Sequence, residues 1–216
     1  NPNNKIPAIL DPNGPDGKPL ALWESGAILI YLAAKSGQLL PADLGQRYET
    51  LQWLMFQMGG VGPMFGQVGF FHKFAGKDFE DKRPRDRYVA EATRLLSVLE
   101  QRLQGRDWIM GEQYTIADIA IFPWIRNLIG FYGAGELVQF ERFPQVQRAL
   151  AAFIERPAVA RGLNIPARFW KNLSVPGWNE VIRVNLDGSY YCCAAVLPSM
   201  SAATCRRFPS RRERPS

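Results

Sequence analysis

The sequence predicts an α+β protein that is mostly α, with a small strand–strand–helix segment followed by a helical region. Two short apolar runs flank a loop rich in Pro, Gly, Asn and Asp, a pattern typical of a β-hairpin. From Leu44 onward, apolar residues recur at helical spacing almost throughout. The chain has 216 residues, of which 47% are hydrophobic and 21% charged, so it suits one large globular domain or two small ones.

The strand–strand–helix segment covers residues 1–40, with strands predicted at 6–10 and 19–23. We expect Ser25 to be the N-cap of the following helix, because a serine hydroxyl accepts a hydrogen bond from a first-turn N–H. Gly37 is expected to end this helix. Its apolar positions recur at helical spacing: Ile28, Leu29, Leu32 and Ala33.

The helical region covers residues 41–166. We expect the run 59–63, which holds three glycines and a proline, to kink or break the first long helix. Pro144 suits the first turn of a later helix. Thr115 and Asp118 match a capping box, in which each side chain accepts from the backbone N–H of the other residue. The region therefore predicts an all-helical domain.

Charge and cysteine content exclude several classes of function. The net charge is +6, but 206–216 alone holds five Arg and one Glu, so a short tail carries most of the excess. A nucleic-acid protein spreads its basic residues over a folded face, and we expect no nucleic-acid partner. The sequence has no apolar run near 18 residues and no secretion-signal pattern, so we expect no membrane partner. Residues 1–170 hold no cysteine, and we predict a cytoplasmic protein. The three cysteines lack zinc-ligand spacing, and no metal site is predicted.

Glu24 and Ser25 lie at the predicted junction of strand and helix, where ligand chemistry is plausible. A helix N-terminus offers N–H groups and a partial positive charge to a carboxylate, and Ser25 adds a hydroxyl donor. Glu24 is able to accept from an ammonium group on the same ligand, which describes an amino-acid head group. From these two residues alone, an ordinary serine cap beside a solvated glutamate is favoured. Pro7 fits either a cis peptide bond or the start of an edge strand.

Taken together, these features resemble the soluble glutathione transferase superfamily. The resemblance rests on Asn3-Asn4-Lys5-Ile6-Pro7-Ala8-Ile9, on Trp23-Glu24-Ser25-Gly26-Ala27-Ile28 and on the capping box. Leu51-Gln52-Trp53 and the stretch 59–64 are similar to the bacterial nu-class members, which reduce disulfides with glutathione. The resemblance covers residues 1–163. It implies a partial thioredoxin-like, glutathione-binding segment followed by an all-helical glutathione transferase C-terminal domain.

The resemblance also implies a glutathione site. Ile6 offers its backbone to the cysteinyl unit of glutathione, and Pro7 takes the place of the family's cis-proline. Glu24 and Ser25 hold the γ-glutamyl head, and Lys5 lies near the glycyl carboxylate. Glutathione is then the co-substrate of a homodimer whose other substrate is a small disulfide, peroxide or electrophile, as in detoxification.

The family's thioredoxin-like domain opens with a strand–helix–strand unit that precedes the segment matched here. That unit carries the group that contacts the glutathione sulfur and stabilises its thiolate. We therefore expect this sequence to be an N-terminally truncated member, and we assign no catalytic residue. Activity of this chain is doubtful on that ground, and the alternative from another class is a non-catalytic helical scaffold or dimerisation module.

The last segment, residues 167–216, is expected to be an appendage with a basic disordered tail. Within it, 172–200 resembles one helix of the short-chain dehydrogenase family, and Asn185 matches that family's active-site asparagine. The stretch lacks a glycine-rich nucleotide loop and a following Tyr-x-x-x-Lys. The third functional hypothesis is an NAD(P)-dependent oxidoreductase fragment. A single helix without the rest of its domain, from a gene fusion or a misassembled reading frame, is favoured over it.

Overall fold

The computed structural model of the protein describes residues 1–164. In chain order its strands and helices are β1 (Ala8–Asp11), β2 (Leu20–Trp23), α1 (Ser25–Ser36), α2 (Leu44–Phe56), α3 (Gly62–His72), α4 (Arg83–Arg102), α5 (Ile116–Arg126), α6 (Pro144–Glu155) and α7 (Pro157–Asn164). The fold is therefore mostly helical with a small two-stranded sheet, as predicted. The appendage at 167–216, with Asn185, lies outside the described residues.

The two strands form the predicted hairpin. β1 and β2 pair antiparallel, with Ala8 opposite Trp23. Asp11 ties the hairpin to α1, because its carboxylate accepts hydrogen bonds from the Tyr31 hydroxyl at 2.7 Å and from the Lys35 ammonium. The Lys35 and Tyr31 hydrogen bonds lower the pKa of Asp11 to about 2. The hairpin is thus fixed against the flank of α1.

Helix α1 packs against the helical region with its apolar face. The buried residues that form this small core come from α1, α2 and α5: Ile28, Leu29, Leu32, Ala33, Leu54, Ile116, Ile119 and Ala120. Gly37 ends α1 in the left-handed conformation, as predicted. Beyond it, the Leu39 carbonyl accepts from the N–H of Ile116 at 3.0 Å. α1 is therefore held along its length by α2 and α5.

A larger core lies among α3, α4, α5 and α6. Its fully buried side chains include Phe65, Leu96, Leu99, Ile121, Phe122 and Phe153. Pro144 lies in the first turn of α6, as predicted, and the Glu100 carboxylate of α4 accepts from the N–H groups of Gln145 and Val146 at 3.0 Å. Among residues 1–164, no helix is both long and apolar enough to cross a bilayer.

The interruption expected at 59–63 takes the form of a π-helical turn instead of a break. The turn spans Gln57–Val61 and joins α2 directly to α3, and the N–H of Gly62 donates to the carbonyl of Gln57. Pro63 then lies in the first turn of α3, directly after the π-helical turn. The wide turn therefore keeps the chain helical through a proline that would disrupt a regular helix interior.

The predicted capping box at the start of α5 is present. Asp118 accepts from the N–H of Thr115 at 2.8 Å and also from the N–H of Ile109 at 2.8 Å, so it fixes the preceding loop as well. Burial raises the pKa of Asp118 to about 6, although these hydrogen bonds oppose the rise. Its role is to anchor the helix start and the loop before it.

Two glycines of α3 differ in the space around them, and alanine substitution is expected to separate them. A Cβ at Gly69 would lie 2.6 Å from the Tyr132 ring, whereas at Gly66 the nearest atom is 3.8 Å away on Trp124. Gly69→Ala should lower the free energy of unfolding by about 1–3 kcal/mol through overpacking. Gly66→Ala should raise it by about 0.5–1 kcal/mol, because alanine favours helices. Urea unfolding followed by circular dichroism measures both, and equal effects would contradict the packing described.

Candidate functional site

The hairpin register brings four of the five predicted site residues to one end of the sheet. Because Ala8 lies opposite Trp23 in an antiparallel pair, the residues before Ala8 lie beside the residues after Trp23. Ile6 and Pro7 therefore lie at the same end of the sheet as Glu24 and Ser25. The Ile6–Pro7 peptide bond is cis, as the resemblance implies. Two segments that are 17 residues apart in sequence thus leave the sheet at the same end.

Glu24 makes the turn from β2 into α1. Its backbone has φ 70° and ψ 119°, a conformation that residues other than glycine rarely adopt. Its carbonyl accepts the first hydrogen bond of α1, from the N–H of Ile28 at 2.9 Å. Glu24 is exposed. Strain of this kind persists only where the surrounding structure imposes it, and it concentrates at functional sites.

The expectation that Ser25 is the N-cap is wrong. Glu24 occupies the N-cap position, and no side chain caps α1. Because Glu24 takes the whole change of chain direction, Ser25 is already the first helical residue. Its hydroxyl then points sideways and donates to Met58 Sδ at 3.9 Å. Ser25 therefore lies at the helix N-terminus, but its hydroxyl is a hydrogen-bond donor to Met58 and does not cap the helix.

The N-terminus of α1 keeps its capacity to bind an anion. The N–H groups in the first turn of an α-helix have no acceptor inside the helix. In α1 these groups belong to Ser25, Gly26 and Ala27, and no side-chain cap among the described residues takes their place. Together with the partial positive charge of the helix end, they suit a carboxylate.

Met58 is a neighbour of this site that the sequence did not reveal. It lies in the π-helical turn, and a Cβ built on Gly26 would lie 3.1 to 3.3 Å from three of its side-chain atoms. Met58 therefore packs directly on the first turn of α1, where the absence of a side chain on Gly26 leaves it room. Met and Gly at these positions were visible in the sequence, but the π turn that brings them together was not.

Lys5, the fifth predicted residue, lies next to Ile6 and is exposed. Its carbonyl accepts from the side-chain amide of Asn1. In residues 1–164, no three potential metal-ligating side chains of His, Cys, Asp or Glu form a group. The groups that the described residues offer at this surface are the first-turn N–H groups of α1, the Ser25 hydroxyl and the Glu24 carboxylate.

An open cavity of about 310 Å³ lies elsewhere, between Leu39, Leu40 and Pro41 on one side and Gln113, Tyr114 and Thr115 on the other. It adjoins the C-terminal end of α1, whereas the candidate site is at the N-terminal end. A helix of 12 residues separates the two by about 18 Å. The cavity thus belongs to the junction of α1 with α5 and not to the candidate site.

Comparison with known proteins identifies the family. Residues 63–157 match the family described as glutathione S-transferase, C-terminal domain. The chain is 42% identical over 164 residues to the disulfide-bond oxidoreductase YghU of Escherichia coli, with 75% of this chain and 56% of that protein covered. It is also 42% identical over 163 residues to the E. coli disulfide-bond oxidoreductase YfcG, with 75% and 73% covered.

Solved structures agree. A glutathione transferase from Burkholderia graminis, crystallised with two glutathione molecules per subunit, is 77% identical, with a TM-score of 0.76 and coverage of 78% of this chain and 70% of that one. One from Pseudomonas putida, with one glutathione disulfide bound per subunit, is 71% identical, with a TM-score of 0.75 and coverage of 76% and 71%. The protein belongs to the glutathione transferase superfamily. The chain spans little more than half the length of YghU.

The strain at Glu24 predicts that glycine is the more stable residue there. The free energy of unfolding of the Glu24→Gly variant should exceed that of Glu24→Ala by about 1 kcal/mol. Glycine adopts the positive φ without strain, and this gain outweighs its greater entropy in the unfolded chain. Glu24→Ala retains the strain and serves as the control. Urea unfolding of both variants measures the difference. Equal stability would mean that position 24 is not strained.

Proposed function

We propose that this chain binds glutathione at the N-terminus of α1. The observation that carries the proposal is the placement of Ile6 and Pro7 at the same end of the hairpin as Glu24 and Ser25. The γ-glutamyl carboxylate accepts from the Ser25 hydroxyl and from the first N–H groups of α1, and its ammonium donates to Glu24. The Ile6 backbone pairs with the cysteinyl unit. The glutathione in the B. graminis and P. putida structures supports this assignment.

Lys5 completes the proposed site. Its ammonium pairs with the glycyl carboxylate, at the opposite end of glutathione from Glu24. This places positive charge at one end of the ligand and a helix N-terminus at the other, so both carboxylates of glutathione meet favourable charge.

The reaction that we propose is reduction of a disulfide by glutathione. The glutathione thiolate attacks one sulfur of the disulfide, the S–S bond breaks, and the other sulfur leaves as a thiolate that takes up a proton. A second glutathione attacks the resulting mixed disulfide, which releases the second thiol and forms glutathione disulfide. The names of YghU and YfcG and the glutathione disulfide in the P. putida structure support this substrate class over a general electrophile or peroxide.

Removal of the Ser25 hydroxyl is the direct test of the site. Titration calorimetry of reduced glutathione into the 216-residue chain should give saturable binding, and Ser25→Ala should weaken it about ten- to a hundredfold, the usual effect of losing a hydrogen bond to a charged group. Ser36→Ala is the matched control, because Ser36 lies at the other end of α1 and donates within its own turn, to the carbonyl of Ala33. The Ser36→Ala variant should bind glutathione with the affinity of the wild type.

Folded protein that gives no heat with glutathione would contradict the proposal for this chain. The alternative, a non-catalytic scaffold or dimerisation module, predicts an intact helical circular dichroism spectrum without turnover. Glutathione binding without reduction of a disulfide substrate would support that alternative over the enzyme. Disulfide reduction that the Ser25→Ala variant loses would support the proposal that the protein is an enzyme.

We also propose that the protein is a homodimer that uses the exposed face of α2. Leu44, Tyr48 and Met55 are 67%, 68% and 52% exposed, although all three are apolar or aromatic. Their spacing of four and seven residues places them within about 40° of one another around the helix. A contiguous exposed apolar face of this kind is typical of an interface between subunits.

A charge on this face should dissociate the dimer. Tyr48→Glu is expected to convert a dimer to a monomer in sedimentation velocity, because it buries an unpaired carboxylate in the interface. Phe79→Glu is the control, since Phe79 is also 48% exposed but lies outside α2. A wild-type monomer, or dissociation by Phe79→Glu alone, would contradict the assignment of the interface to α2.

A further inference from the structure

The contact between Met58 and the first turn of α1 joins the helical region to the proposed glutathione site. The Ser25 hydroxyl donates to Met58 Sδ at 3.9 Å, and the same sulfur lies 3.2 Å from the position of a Cβ on Gly26. Met58 is partly exposed, so it is open to small solutes. A thioether sulfur is a weak acceptor, and the hydroxyl is therefore easily released to a better one.

We infer that Met58 is an oxidation site that controls glutathione binding. The inference rests on the proposed function, because it assigns a regulator to that same site. The oxidant is a hydroperoxide: its O–O bond breaks, one oxygen atom is transferred to the Met58 sulfur, and the sulfur loses two electrons while the peroxide is reduced to water or an alcohol.

The added oxygen changes the contact between Met58 and Ser25. Sulfoxide formation makes an apolar side chain polar and places a strong acceptor on the sulfur. The Ser25 hydroxyl already lies within hydrogen-bond distance of the sulfur, so an oxygen on that sulfur is within its reach. A serine hydroxyl has one proton to donate. The sulfoxide oxygen of Met58 then holds the proton that the γ-glutamyl carboxylate needs, and glutathione binding weakens.

The chain supplies a matched control. Met110 lies outside the proposed α2 interface and is partly exposed, as Met58 is. Its sulfur also accepts a side-chain hydrogen bond, from the Arg102 guanidinium at 3.7 Å. Oxidation of Met110 should leave glutathione binding unchanged, which separates an effect at the Met58 contact from general oxidative damage.

The experiment uses the full 216-residue chain, treated with hydrogen peroxide, freed of peroxide and then reduced with dithiothreitol. Dithiothreitol restores reversibly oxidised cysteines but not methionine sulfoxide. Peptide mass spectrometry locates the oxidised methionines, and calorimetry with reduced glutathione measures affinity. We expect about a tenfold or greater loss of affinity that follows the sulfoxide content of Met58, the size expected for one lost hydrogen bond to a charged group. Methionine sulfoxide reductase should restore the affinity.

Met58→Leu should keep the same glutathione affinity before and after peroxide treatment, whereas Met110→Leu should lose affinity on treatment as the wild type does. Equal affinity before and after oxidation of Met58 overturns this inference and leaves the proposed function intact. Loss of affinity in peroxide-treated Met58→Leu also overturns it, because the effect then comes from another residue. Absence of glutathione binding in untreated protein overturns the proposed function, and the inference falls with it.

Discussion

The packing of α1 between the hairpin and the helical region is the constraint on which the candidate site depends. Ile28 and Leu29 are fully buried against residues of α2 and α5, and burying side chains of this size contributes about 1.5–3 kcal/mol each. Asp11 fixes the other flank of α1 through Tyr31 and Lys35. With both sides held, the N-terminus of α1 has one position, and the hairpin register delivers the Ile6–Pro7 backbone to it.

Two π-helical turns in the helical region bring side chains into contact with neighbouring helices. The first, Gln57–Val61, adds a residue to the turn between α2 and α3 and places Met58 on the first turn of α1. The second, Asn127–Phe131, extends α5 toward Tyr132, which packs on Gly69 of α3. π turns are frequent at functional sites because they redirect side chains without ending the helix. Here the first one couples a helix junction to the candidate site.

Much of the local structure was predictable because it depends on local chemistry. Gly37 ends α1, Pro144 begins α6 and Thr115 with Asp118 caps α5, since each device needs only its own few residues. The N-cap of α1 was misassigned by one position. A serine after an acidic residue is an ordinary cap pattern, and nothing local indicates that Glu24 adopts a positive φ. That conformation is imposed by the hairpin and by the packing of α1.

The sequence by itself determined the fold class and three of the helix ends, because hydrophobic spacing and short capping motifs specify these directly. It also supplied the residues proposed to bind glutathione, through short motifs that resemble those of a known family. Only the tertiary structure decided that Ile6 and Pro7 lie at the same end of the sheet as Glu24 and Ser25, since strand register is set by pairing and by the buried face of the sheet. It also decided that the Ser25 hydroxyl meets Met58, 33 residues away. Contacts between distant segments depend on how whole helices pack, and no local pattern encodes them.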